Sequence, residues 1–187
     1  MYKNKVVLAS IFIVIGGLFR IFPHPVNISP VAAMALLGGA YLGRNYLAFL
    51  VPILALFIGD LILNNTINRA FFSDQSEFII GAQYMYYTYG AYLLTVLLGF
   101  YLINKSSATK IIAGTLVSSI LFFAITNIGV WLSGTLYPTN GGGLIACITA
   151  AMPFFRNTLL SNAIFISLFV LAIEFMTRST ESKSQLA

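Results

Sequence analysis

Apolar runs broken by short polar stretches divide the chain into six segments. They are about Val6–Phe22, Pro30–Gly43, Tyr46–Asn64, Met85–Asn104, Thr109–Gly134 and Thr158–Thr177. A full membrane crossing takes ~20 helical residues. The second segment is too short for an upright span, so it must be partial, bent or shielded by its neighbours. A shorter apolar stretch, Leu144 to Met152, predicts a re-entrant or interfacial helix lying over one face of the bundle. The pattern gives an all-α membrane protein, a bundle of six transmembrane helices.

Composition agrees. Of 187 residues, 59% are hydrophobic and only 8% are charged, against about 25% charged in a soluble domain. So few charges cannot cover a water-soluble globule. No polar low-complexity tract and no Gly-X-Y period is present, which excludes disorder and a collagen-like fibre. We read residues 1–178 as one integral membrane domain and 179–187 as a polar cytoplasmic tail. Lys3 and Lys5 precede the first run, but no small-x-small cleavage site follows it, so the run reads as a retained span and not a signal peptide.

Charge orients the bundle. Lys3, Lys5, Arg44, Lys105, Lys110, Arg178 and Lys183 fall at the termini and the two tight connections, whereas Arg20, Arg69 and Arg156 fall on the other side. The positive-inside rule then places both termini in the cytoplasm of a multi-pass inner-membrane protein. The net charge of +5 is spread thinly, which argues against nucleic acid as a partner. All the longer connections face outward, and such loops on a rigid bundle tend to carry binding residues.

The first of these loops contains Pro23, Pro25 and Pro30, which keep the backbone extended. It presents His24, Asn27 and Ser29 to a ligand, or it is a capping turn with Ser29 as N-cap and Pro30 at the first helical position. Asp60, near the outer end of the third segment, is the costliest residue in the chain. An unpaired carboxylate there costs a few kcal/mol, so it should face inward and find a partner. Arg20 and Arg156 lie at the same predicted level. Asn64 shares the face of Asp60 one turn on.

Asn127 and Trp131 share a face near the end of the fifth segment. Trp131 is an interfacial anchor or, with Asn127, a pocket wall that stacks on a planar ligand. Tyr137, Arg156 and Asn157 occupy the last outer region. Tyr84, Tyr86, Tyr87 and Tyr89 form an aromatic belt that also suits ligand stacking. The triplet Gly141–Gly143 lacks the Lys-Ser/Thr of a nucleotide-binding loop. Cys147 is a small buried apolar residue or a soft metal ligand, with His24 the other metal candidate. No spaced ligand cluster marks a structural zinc site, no catalytic motif appears, and no cofactor is called for. Asp74 and Glu77 read as solvated. Ala35, Gly39 and Gly43 form a small-residue stripe, which serves packing within the chain or contact with a partner.

The order of a first span, a proline-rich outer loop, a short helix opening at a proline, and a third span ending in an acid resembles the substrate-binding S component of energy-coupling factor (ECF) transporters. The phrases Arg-Ile-Phe-Pro-His-Pro-Val-Asn-Ile-Ser-Pro-Val-Ala-Ala, Thr-Asn-Ile-Gly-Val-Trp-Leu-Ser-Gly-Thr-Leu-Tyr-Pro and Ala-Met-Pro-Phe-Phe-Arg-Asn-Thr-Leu also resemble an uncharacterised family of small bacterial membrane proteins. The resemblance covers residues 6 to 177. It implies a six-helix bundle with cytoplasmic termini and a pocket under the outer loops. It also implies membrane lipids, a small-molecule solute and a transmembrane coupling subunit with ATPases as partners. S components dock that subunit through a small-residue stripe on the first helix. Here the first helix offers Ala9, Ser10, Gly16 and Gly17 out of register.

The leading expectation is a solute-binding subunit of a vitamin- or micronutrient-type uptake transporter, without catalysis of its own. Its pocket would draw on Arg20, His24, Asn27, Asp60, Asn64, Asn127, Trp131, Tyr137, Arg156 and Asn157. One rival is a membrane enzyme acting on a lipid or polyprenyl substrate, with Asp60 and His24 as acid and base. The other is a non-transporting assembly subunit held by the Ala35–Gly39–Gly43 stripe.

Overall fold

A computed structural model describes residues 2–22, 27–43, 46–69, 77–102 and 108–185. His24, Pro23, Pro25, Arg44, Asp74 and Lys105 lie outside the described residues. The described chain is all helical: α1 (Tyr2–Phe19), α2 (Val31–Tyr41), α3 (Leu47–Asn65), α4 (Gln83–Leu102), α5 (Ala108–Leu132) and α6 (Gly141–Gln185). Three stretches, Leu47–Asn65, Thr109–Leu132 and Gly141–Arg178, are long and apolar enough to cross a membrane, the mark of a membrane protein.

The short apolar helix is the centre of the bundle. α2 packs against all five other helices, and every residue of it except Ala40 is buried. Apolar burial adds little drive among lipid chains, so close packing must hold it. Small residues allow that packing. A Cβ on Gly39 would strike the Val96 carbonyl of α4, and one on Gly99 would come within 2.6 Å of the Leu36 carbonyl of α2. Gly38 faces Pro52 and the Ala48 carbonyl of α3 just as closely. The small residues of α2 are therefore used inside the chain, with Ala35 fully buried.

α3 shows how an all-apolar helix still acquires two faces. Pro52, Leu56, Gly59 and Asp60 are buried, while Leu50, Leu54 and Ile58 are exposed. Hydropathy does not distinguish these faces; the contacts with α1, α2 and α4 do.

One expectation needs correction. The short helix over Leu144–Met152 is not separate, because Gly141 to Gln185 is one helix with Pro153 inside it. Pro153 removes one backbone hydrogen bond, and the helix continues through it. The hydropathy dip at Arg156–Thr158 marks polar side chains and not a break in the backbone. The polar residues from 179 to 185 belong to this same helix. At the start of α6, Asn140 is the N-cap: its Oδ1 accepts from Gly143 N at 2.9 Å, which satisfies a free helix-end donor. Gly143 packs so closely on the Pro138 carbonyl that no Cβ fits there.

The shortness of α2 shapes the molecule. Eleven residues of helix rise roughly 16 Å. At one end α2 is level with its neighbours: Tyr41 OH donates to Glu174 Oε1 at 3.1 Å, and Lys5 of α1 pairs with Glu174 Oε2 at 2.6 Å. At the other end α2 starts low. Its first turn faces Gly16, where a Cβ would lie 2.9 Å from Met34 Cγ and 3.3 Å from Pro30. Arg20, one turn (~6 Å) further along the chain, reaches over Gly59 of α3 instead. The height that α2 leaves unfilled at this end is a cavity.

Candidate functional site

The cavity measures about 480 Å³ and is walled by helices α2 to α6, by the residues that follow α1 and α3, and by the α1–α2 connection. Its floor is the first turn of α2, Val31 and Ala32. Arg20 and Phe22 close one side, with Leu63, Ile67 and Asn68 from the end of α3. Tyr84 and Thr88 come from α4, and Phe122, Phe123, Thr126 and Asn127 from α5. Thr158 and Asn162 of α6 complete the wall.

α6 makes room for it. Asn162 Nδ2 donates to Ser119 Oγ of α5 at 2.9 Å, and Cys147 Sγ lies 3.5 Å from the Asn127 carbonyl. Between these contacts α5 rises about 12 Å and α6 about 22 Å. α6 takes the longer path, with Pro153 on it and Phe155 reaching back to Phe123 at a ring separation of 4.7 Å.

Asn27 and Ser29, in the stretch that leads into α2, lie against the cavity. Asn27 adopts a positive φ of 61°, a left-handed conformation that Asn tolerates better than most residues. Ser161 Oγ donates to the Ser29 carbonyl at 2.8 Å, tying the connection to α6. The capping role expected of Ser29 is not realised. Pro30 occupies the N-cap position, α2 begins at Val31, and the buried Ser29 Oγ has no hydrogen-bond partner among the described residues.

Asp60 sits beneath the wall. Its side chain is 1% exposed, and both carboxylate oxygens are engaged. Arg20 Nη2 donates to Oδ1 at 2.6 Å and Tyr89 OH to Oδ2 at 2.9 Å. Arg20 Nη1 also donates to the Leu56 carbonyl at 3.2 Å. One turn along, Asn64 Oδ1 accepts from Tyr84 OH at 2.9 Å. The network joins the end of α1 to α3 and α4 through short charge-assisted bonds, which are among the stronger kind. It holds the wall in place and leaves Asp60 no free oxygen for proton transfer.

The structure thus brings together Arg20, Asn27 and Asn127 at the cavity, with Asp60 and Asn64 directly behind. It places other candidates elsewhere. Trp131 Nε1 donates to the carbonyls of Pro138 and Asn140 at 3.1 and 3.2 Å, so it braces the α5–α6 connection. Tyr137, Arg156 and Asn157 are outside the wall; Arg156 is exposed and does not reach Asp60. Cys147 is buried between α5 and α6. Among the described residues no three His, Cys, Asp or Glu side chains gather as metal ligands.

Sequence reasoning passed over Asn68, Thr88, Thr126, Thr158 and Asn162. Asn162 carried a readable signal, a carboxamide within an apolar run, the same signal that singled out Asp60. Glu174, a half-buried acid paired at the opposite end, was missed for want of the same test.

Residues 2–184 match the family of unknown function DUF6580, and the chain belongs to that family. No curated protein and no solved structure matches it.

Proposed function

We propose that this chain is a membrane-embedded solute-binding subunit of the ECF S-component kind, which captures a small molecule in the cavity above α2. The observation that carries the reading is that cavity. Polar groups from all sides of the bundle converge on it, and its volume falls in the range of about 300–1,000 Å³ typical of small-molecule sites. In this reading all six helices cross or enter the inner membrane, both termini are cytoplasmic, and the cavity end faces outward. The chain has no nucleotide-binding motif, so uptake draws on a coupling subunit with ATPases. Ala9, Gly16 and Gly17 are buried against the chain's own helices, so that subunit docks on a different surface from the stripe S components use.

The rivals fare less well. An acid–base role for Asp60 conflicts with its engaged oxygens, and assembly through the α2 stripe conflicts with its burial. The test is a comparison of spent growth medium from cells with and without the gene. The expected result is one small solute depleted only when the gene is present. Identical media across vitamins, nucleobases and metals would overturn the proposal.

A further inference from the structure

We infer that the solute held in this cavity is uncharged, with a flat, amide-edged ring and a size near that of a nucleoside. The inference rests on the capture reading above and adds the chemistry of the ligand.

Charge comes first. Arg20 is the only ionisable cation among the described wall residues, and Asp60 neutralises it at 2.6 Å. No carboxylate, thiol or imidazole lies on the described wall. Among the described wall residues a charged solute would find no free counter-ion in a largely apolar space, which is strongly unfavourable. Among the described wall residues a metal ion would find only neutral oxygens, with no carboxylate, thiolate or imidazole to hold it.

Hydrogen bonding comes next. Asn127 gives one of its two side-chain N–H groups to the Phe123 carbonyl at 2.8 Å, and Asn162 gives one of its own to Ser119. Each Oδ1 is left without a protein partner among the described residues. The side chains of Asn27 and Asn68 make no described protein hydrogen bond. The Ser29 hydroxyl is buried and has no partner among the described residues, which is costly unless a ligand satisfies it. Carboxamides offer a donor and an acceptor side by side, the complement of a lactam or cyclic-imide edge. A lipid tail would use none of this.

The rings complete the site. Phe22, Phe122 and Phe123 line it together with Tyr84, whose hydroxyl is held by Asn64. Aromatic walls favour stacking on a flat ring.

The experiment is calorimetric titration of the full chain in nanodiscs with matched pairs: inosine against inosine 5′-monophosphate, uridine against uridine 5′-monophosphate, and nicotinamide against nicotinate. A neutral member should bind, and its charged counterpart at least tenfold more weakly. Ser29→Ala should weaken that binding about five- to tenfold without lowering the unfolding temperature, because no protein contact is lost. Equal or tighter binding of the charged members, or an unchanged affinity in Ser29→Ala, overturns the inference. So does a failure of every neutral probe. In that case a charged solute released from denatured protein leaves capture standing, whereas no released solute removes capture as well.

Discussion

Ser161 Oγ donates to the backbone carbonyl of Ser29 at 2.8 Å, while the hydroxyl of Ser29 has no partner among the described residues. The connection is therefore anchored by its main chain and keeps its side chain for the cavity. Ser161→Ala should cost about 1 kcal/mol and speed amide exchange through residues 27–30, with little change elsewhere. Hydrogen exchange read by mass spectrometry checks this; unaltered exchange in that segment would show that the anchor is idle.

Asp60 and Arg20 form a buried pair, and breaking one partner leaves the other charge unmatched. Asp60→Ala or Arg20→Ala should each cost about 3–5 kcal/mol. The double replacement Arg20→Met with Asp60→Leu should recover much of that loss. Unfolding temperatures of the four proteins in detergent give the coupling. Additive single losses would mean that the pair does not hold α1 to α3.

The crossing of α2 and α4 depends on bare backbone at Gly39 and Gly99. Gly39→Ala and Gly99→Ala should destabilise strongly, since overpacking typically costs about 1–3 kcal/mol and backbone here cannot give way. Gly90→Ala in the same α4 meets nothing within 4 Å. It should be neutral or stabilising by about 0.5–1 kcal/mol. Similar thermal shifts for all three would contradict the packing described.

Orientation is tested with single cysteines in a Cys147→Ser background. Thr139→Cys, in the α5–α6 connection, should react with a membrane-impermeant maleimide on intact cells. Lys3→Cys should react only after permeabilisation. The reverse pattern would place the cavity end in the cytoplasm.

Much of this arrangement was legible in the sequence. The first five hydropathy segments mark α1 to α5 to within a few residues, because apolar runs and polar breaks coincide there with helix bodies and ends, whereas the sixth, Thr158–Thr177, covers less than half of α6. The length of α2 foretold its shielding. The cost of a carboxylate in an apolar run foretold the pairing of Asp60, though not the choice of Arg20 over Arg156. That choice depends on Arg20 lying over Gly59, which only the α1–α3 packing decides. α6 was misread because a proline followed by a polar triplet looks like a break, whereas a helix tolerates one missing bond. Trp131 and Asn127 do share a helix, but the indole is drawn off by the carbonyls of Pro138 and Asn140. Asn162 became visible as a wall residue only when the longer path of α6 brought it beside α2.

The central claim is that the space above α2 holds a solute. Native mass spectrometry of the protein, released gently from nanodiscs, tests it most directly beside Thr126→Trp, which places an indole in the cavity from the α5 wall. The account expects the wild type to carry one small-molecule adduct and Thr126→Trp to fold but carry none. An adduct of equal occupancy in both proteins, or its absence from the wild type after expression in the native host, would contradict it.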